Sequence, residues 1–206
     1  MKEKILTVIK ELREKSKKRN FPQTFDLIAS LKEFDVKKPE NKFSEDVILP
    51  HGRGEEAEVV VFSDSVKDAD CKILTTEDLN KLAKSKRAAK KLAGNTNFFL
   101  AEPKLMPLIG KVLGAYLGPR DRMPKLIAGE NVKTMVKNYK KSVRIRIKDS
   151  PVVQCLVGKE NMKDEEIAEN VEAVVKGLEM KLPKGRRNIR RLMLKLTMGE
   201  PIKVEV

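Results

Sequence analysis

The chain has 206 residues, enough for one large domain or two small ones, and its 44 Lys and Arg against 30 Asp and Glu leave a net charge of +14. Such an excess points to a polyanionic partner, because each phosphate that Lys or Arg neutralises releases bound counterion. A membrane is not the expected polyanion: no apolar run approaches the roughly 18 residues of a spanning helix, no signal peptide is legible, and Glu3, Glu11 and Glu14 interrupt a basic N-terminal stretch that a transit peptide would keep free of acids. Cytoplasmic residence is expected. The 40% of apolar residues can fill a core, but with only 4% aromatic it must be built mostly from Leu, Ile, Val, Ala and Met.

Ile5, Leu6, Ile9 and Leu12 recur at helical spacing and predict an amphipathic helix over 2–18 with a Lys/Arg-rich outer side. Residues 24–31 alternate, with Phe25, Leu27, Ala29 and Leu31 facing one way, as a half-buried strand does. A turn-rich loop through 37–41 leads to a strand at 44–49, and antiparallel pairing of these two strands is the simplest arrangement. After a turn at 50–54 the texture changes. The run Val59-Val60-Val61-Phe62 is continuously apolar, as in a strand covered by helices on both faces. Residues 71–74 and 98–101 are shorter versions, while 143–147 alternates with arginines and reads as an edge strand.

Between these strands lie helical patterns at 76–93, about 103–117 and about 130–141; Thr76, Glu77 and Asp78 suit the start of the first and Gly94 its stop. Strand and helix alternating in this way predict a small parallel α/β sheet. The texture then reverts. A strand at 152–157, a long helix at 163–181 opening on Asp164, Glu165 and Glu166, and strands at 189–198 and 202–206 resemble the opening segment. The expected fold is therefore α/β and α+β combined: a split α+β domain of residues 1–58 and 150–206, and a three-layer, Rossmann-like α/β domain inserted at 59–149. Two chain crossings at one place make a hinge.

In the last long strand Leu192, Leu194 and Leu196 share one face, with Arg191, Met193, Lys195 and Thr197 on the other. A basic loop, Pro183-Lys184-Gly185-Arg186-Arg187-Asn188, precedes it, and Leu196-Thr197-Met198-Gly199-Glu200-Pro201 ends it. Gly199 reads as part of a hairpin turn, or as a bare backbone that a ligand can approach closely. Basic residues gather in three groups. Lys10, Arg13, Lys15, Lys17, Lys18 and Arg19 end the first helix, and Lys181, Lys184, Arg186, Arg187, Arg190 and Arg191 flank the loop; both groups read as facing RNA near Phe21 and the 197–199 segment. Lys81, Lys84, Lys86, Arg87, Lys90 and Lys91 cover a helix of the insert and read as a solvated face, with a second, weaker RNA contact as the alternative.

Little points to catalysis. Cys71 and Cys155 read as two buried thiols, and with His51 as the only histidine no metal site is implied. No phosphate-binding glycine loop follows a strand, and Gly110, Gly114 and Gly118 have a helix-packing spacing. No cofactor and no enzymatic activity are expected.

The segment Leu117-Gly118-Pro119-Arg120-Asp121-Arg122-Met123-Pro124-Lys125, following Leu105-Met106-Pro107-Leu108-Ile109-Gly110-Lys111, resembles the signature of the ribosomal protein L-one family, which forms the mobile stalk of the large ribosomal subunit. Leu49-Pro50-His51-Gly52-Arg53-Gly54, Val157-Gly158-Lys159, the Leu196–Gly199 segment and, more loosely, residues 20–26 match in the family's order. The compact length resembles the archaeal form. Asp121 stands where the family usually has glycine, and Leu126 where it often has proline.

The resemblance implies a structural, RNA-binding protein of the cytoplasmic ribosome. Its partners would be large-subunit rRNA, tRNA at the exit site, and its own mRNA, repressed through a mimic of the rRNA site. A free RNA-binding regulator outside the ribosome is the alternative. The implied RNA contacts are Arg19, Phe21, Gln23, Thr24 and Asp26 along an edge strand, Lys159, and the triad Thr197, Met198 and Gly199. The chemistry fits: hydroxyls and Asp26 can bond a 2′-OH, while Phe21 and Met198 can lie flat on a ribose or base. A buried-core role for Phe21 stays open.

Overall fold

A computed structural model describes residues 1–17, 19–65, 70–127 and 131–204; Lys18, Glu130, Glu205 and Val206, which figure in the expectations above, lie outside them. The chain gathers into two compact units, Met1–Glu56 with Lys141–Val206, and Ala57–Lys140. The fold is mixed α/β, with separate sheets in the two units.

In the split unit, helix α1 (Lys2–Lys15) and helix α6 (Asp164–Lys181) cover one face of an antiparallel sheet. The sheet has the order β10-β9-β1-β8, where β1 is Thr24–Leu31, β8 Val152–Lys159, β9 Ile189–Leu196 and β10 Ile202–Val204. Helix α1 docks through Ile5, Val8, Ile9 and Leu12, all buried. At about 1.5–3 kcal/mol per buried aliphatic side chain, that stripe outweighs the weak intrinsic stability of so charged a helix. Its partners are Phe25, Leu27 and Ala29 of β1 and Leu192, Leu194 and Leu196 of β9, the alternating sets expected from the sequence.

Strand β1 is an interior strand, not the expected edge: it pairs with β8 on one side and β9 on the other. Strand β2 (Phe43–Ile48) does not pair with β1 either. It forms a two-stranded antiparallel ribbon with β7 (Ser142–Ile147), so the arginine-alternating strand belongs to the split unit and not to the edge of the inserted sheet. One cross-strand pair ties the two strands through charge. Arg144 lies opposite Asp46 and donates from Nε to Oδ1 at 2.8 Å and from Nη2 to Oδ2 at 3.4 Å. Both side chains are largely buried, at 18% and 4% exposure, so breaking the pair would strand a charge. Helix α6 rides close over this ribbon, because a Cβ on Gly177 would meet Val47 Cγ2 at 2.8 Å.

The second unit carries a parallel sheet in the order β4-β3-β5-β6, with β3 Val59–Phe62, β4 Lys72–Leu74, β5 Phe98–Ala101 and β6 Lys125–Leu126. Alternate residues of β3 and β5 point to opposite cores. Val60, Phe62, Phe99 and Ala101 meet the helices α2 (Thr76–Lys84), α3 (Lys86–Asn95) and α4 (Met106–Leu117), while Val59, Val61, Phe98 and Leu100 meet α5 (Val132–Lys140). Burial on both faces explains the continuous apolar runs. Strand β6, two residues long, carries no sequence pattern.

The expected helix over 76–93 is two helices. Ser85 breaks it in an extended conformation, and its hydroxyl accepts from Ala88 N at 3.4 Å to cap α3. The first helix is capped by Thr75, whose N–H meets Asp78 Oδ2 at 3.4 Å; Thr76 instead binds Asp64 through its N–H and hydroxyl at 2.9 and 2.5 Å. Gly94 does not stop α3, which runs to Asn95. Arg120 and Arg122 cover that end: Arg122 Nη1 lies 3.1, 3.2 and 2.7 Å from the carbonyls of Ala93, Gly94 and Thr96. Between them Asp121 takes the left-handed conformation at φ 58° and ψ 37°, which suits the glycine of the family pattern and which Asp tolerates better than most residues.

Candidate nucleic-acid interface

At one end of the antiparallel sheet, the start of β1 meets the ends of β8 and β9. Thr24 lies opposite Lys159 of β8, and Phe25 opposite Leu196 of β9. One residue further, Thr197 is tied to Thr24 three times. Its hydroxyl accepts from Thr24 N at 3.0 Å and lies 3.3 Å from Thr24 O, which also accepts from Thr197 N at 3.0 Å. Gln23, with 2% of its surface exposed, turns inward and accepts from Met198 N at 3.3 Å through Oε1. Its own backbone is held by Glu160, whose carboxylate accepts from Gln23 N at 3.1 Å and whose N–H donates to Gln23 O at 2.8 Å. Thr197 and Met198 are thus fixed by hydrogen bonds to the residues before and at the start of β1, so little ordering is left for a ligand to induce.

Two large apolar side chains stay in water at this end: Phe21 is 47% exposed and Met198 62%. The core reading of Phe21 therefore falls away. Gly199 closes the β9–β10 turn, its N–H donating to Leu196 O at 2.9 Å. Its backbone is not left-handed, and a Cβ would find only ordinary contact with Leu196 at 3.4 Å. Nothing inside the fold demands glycine there.

A groove of about 610 Å³ opens between the end of α1 and the β9–β10 turn, lined in part by Lys15, Lys17, Arg19, Gln23, Met198 and Gly199. The first basic group therefore adjoins the triad, though not every member is available. Lys15 is paired with Glu11 at 2.6 Å. Arg13 faces inward: it binds Asp164 at 2.7 Å and the carbonyls of Glu160 and Met162 at 2.6 and 2.7 Å, with its guanidinium 5.4 Å from the Phe25 ring centre. The loop group lies elsewhere. It precedes β9, about 25 Å of extended strand from the triad, and is pinned to the far end of β1, where Lys32 N donates to Asn188 O at 2.7 Å. Lys184 there pairs with Glu33 at 2.6 Å.

Asp26 and Lys159 differ in setting from the exposed triad. Asp26 is half-buried between Lys195 and Leu156; burial raises its carboxyl above the ordinary value and Lys195 pulls it back. The ammonium of Lys159 is engaged by Glu55 rather than open to solvent. Asn170 and Glu160 carry structural roles that spacing did not signal. Asn170, fully buried on α6, donates to Gly52 O and Val157 O at 2.8 Å each and accepts from His51 N at 3.1 Å, pinning the turn after β2. His51 reaches Glu169 at 2.5 Å, and Lys2 reaches the same carboxylate at 2.8 Å; together they hold the Glu169 carboxyl down at about 2.

Cys155 is buried, with its thiol pushed up to about 12 by burial and then by Asp26; Cys71 is only half-buried, a correction to the expected pair of buried thiols. Among the described residues no cluster of three His, Cys, Asp or Glu side chains could hold a metal, and no helix is long and apolar enough to cross a membrane.

Comparison with known proteins gives one consistent match. The model of the ribosomal protein L1p/L10e family aligns with residues 12–200. The chain is 44% identical over 210 residues to the large ribosomal subunit protein uL1 of Methanocaldococcus jannaschii, covering 99% of this chain and 96% of that one. It is 42% identical over 211 residues to the uL1 protein of Pyrococcus horikoshii, with the same coverage, and 41% identical to that of Methanothermobacter thermautotrophicus, covering 99% of this chain and all of that one.

Proposed function

The chain belongs to the ribosomal protein L1p/L10e family, and from that premise we propose that its strand-end triad and the neighbouring Phe21 grip a folded segment of rRNA. Membership makes it a structural, non-enzymatic constituent of the large ribosomal subunit in the cytoplasm, associated with rRNA. Its position in the subunit's mobile stalk, contact of the Ala57–Lys140 unit with tRNA leaving the exit site, and repression of its own mRNA through the same interface are the finer parts of the proposal. An mRNA that copies the rRNA's backbone shape would be held by the same groups, since the contacts read sugar, phosphate and exposed base faces.

The observation that carries this reading is the combination of held backbone and exposed apolar side chains. Thr197 and Met198 are anchored to Thr24 and Gln23, while Met198 and Phe21 stay in water beside Lys17 and Arg19. Two large apolar side chains exposed at one strand end beside cations make a surface that a base or ribose can cover. Stacking on a base or ribose is worth about 1–3 kcal/mol per contact. Phe21→Ala and Met198→Ala should therefore each weaken binding of the folded rRNA fragment by that amount without lowering the melting temperature. Unchanged affinity in both folded variants would remove the interface from this end of the sheet.

A further inference from the structure

The turn between β2 and the second unit brings a second cationic site to the end of β8. Gly54 takes φ +84° and lies so close over Lys159 that a Cβ would stand 2.8 Å from Lys159 Cβ and 2.9 Å from Cγ. Only glycine meets both conditions. The contact lays the turn across the lysine stem, leaving its side chain 15% exposed, and Glu55 holds the lysine ammonium while lying within electrostatic reach of Arg53. Arg53 is half-buried and has no hydrogen-bond partner among the described residues; burial lowers its guanidinium's pKa and Glu55 partly restores it. Glu55, by contrast, is 74% exposed, yet its carboxylate holds the Lys159 ammonium.

An exposed carboxylate loses little by leaving a salt bridge, because water and salt screen it. A poorly solvated guanidinium and a lysine with its stem packed can share one backbone phosphodiester, whose single negative charge and two non-bridging oxygens the rest of the bound RNA holds in place. The arrangement sits beside Thr24, the residue opposite Lys159, and so borders the strand-end interface. We propose that Arg53 and Lys159 form a phosphate-binding site for the RNA backbone, closed in the free protein by Glu55 as a resident stand-in for the phosphate. When RNA binds, the phosphate displaces the Glu55 carboxylate, which swings into solvent and takes up a cation of its own. Arg53 donates to the phosphate through its planar fork and Lys159 as a point charge. This inference rests on the RNA-binding reading above.

The test measures binding of the folded rRNA fragment across a salt series. Glu55→Gln should tighten binding by about three- to tenfold at low salt and steepen the salt dependence by about one ion, since no carboxylate is left to recapture a cation. Glu56→Gln, one residue along, controls for general removal of negative charge and should gain distinctly less. In a Lys159→Met background, which keeps the packed stem, the gain from Glu55→Gln should shrink to that of the control. Arg53→Met should weaken binding and flatten the salt dependence. An equal gain from E55Q and E56Q, a full E55Q gain without Lys159, or unchanged binding by R53M would overturn the site while leaving the strand-end interface standing. Failure of the unmutated chain to bind the fragment would overturn both.

Discussion

Replacing Thr197 by valine changes almost no volume and deletes one hydroxyl, so it isolates what that hydroxyl does. It accepts from Thr24 N at 3.0 Å and lies within reach of Thr24 O at 3.3 Å. A hydroxyl has one donor and two acceptor sites. Donation to Thr24 O and acceptance from Thr24 N therefore leave one lone pair, enough to accept from a ribose 2′-OH but not to serve a phosphate oxygen. An intramolecular hydrogen bond is worth about 0.5–1.5 kcal/mol net. Both groups are exposed, so water replaces part of each, and the loss on Thr197→Val should be about 1 kcal/mol. In a chain of this size that lowers the melting temperature by about 2–4 °C. The RNA complex should lose about 1 kcal/mol more, roughly fivefold in affinity, from the missing acceptor. Calorimetric melting and filter binding of the folded rRNA fragment read the two effects separately. Thr197→Ser keeps the oxygen and should retain most of both. A valine variant that melts with the wild type would refute the bridge to Thr24. One that binds RNA unchanged would refute the interface, and a serine variant as weak as valine would show that the methyl group, not the hydroxyl, is what matters.

Gly199→Ala should leave stability within about 0.5 kcal/mol yet weaken RNA binding, because the fold leaves room for a Cβ there; Gly54→Ala, strained at φ +84° and clashing with Lys159, should lower the melting temperature on its own. A chain joining residues 1–56 to 141–206 through a short Gly/Ser linker should fold and bind the fragment, whereas a join of 1–58 to 150–206 removes the partner of β2 and should melt earlier; equal melting of the two would contradict the Asp46–Arg144 tie. In the native protein a thiol reagent near pH 8 should modify Cys71 but reach Cys155 only after unfolding. Because the Cys155 thiol is held up at about 12 against 9.0, the unfolded chain loses its proton first, so stability should fall as pH rises from about 9 towards 12, and Cys155→Ala should remove that part of the slope.

Elements with one regular period were legible in the sequence. The alternation in β1 and β9 and the apolar runs of β3 and β5 each report the burial of the strand's own side chains. Strand pairing was not legible, because partners are chosen by contacts distant in sequence. That β2 takes β7 brings together an aspartate and an arginine 98 residues apart, and β6 is placed by backbone pairing with β5 and by Lys125 over the Tyr139 ring. The same limit shaped the candidate site. Phe21, Thr197 and Met198 could be singled out by the resemblance, but only the fold shows that Gln23 is an internal support for Met198 rather than an exposed strand residue. Counting basic residues misled most, since Arg13 and Arg122 serve carbonyls inside the protein.

That last point alters what the net charge of +14 can mean for RNA. Of the cations that line the groove beside the triad, Lys17, Arg19 and Lys203 have no ion pair among the described residues. Arg13, Arg120, Arg122 and Arg144 are committed to internal carbonyls or carboxylates, and the loop cations before β9 lie at the far end of the strand. Diffuse positive charge can speed encounter with RNA, but it cannot choose among RNAs, because every phosphate looks alike to it. On the proposed interface, selection falls to what the strand end offers in a fixed position: one free lone pair on Thr197, the exposed Phe21 ring and Met198 thioether, and a Gly199 backbone with no side chain in the way. A ligand must match those groups in shape before the neighbouring charges add anything specific, so an RNA of the right fold and the wrong sequence should bind better than one of the right sequence held unfolded.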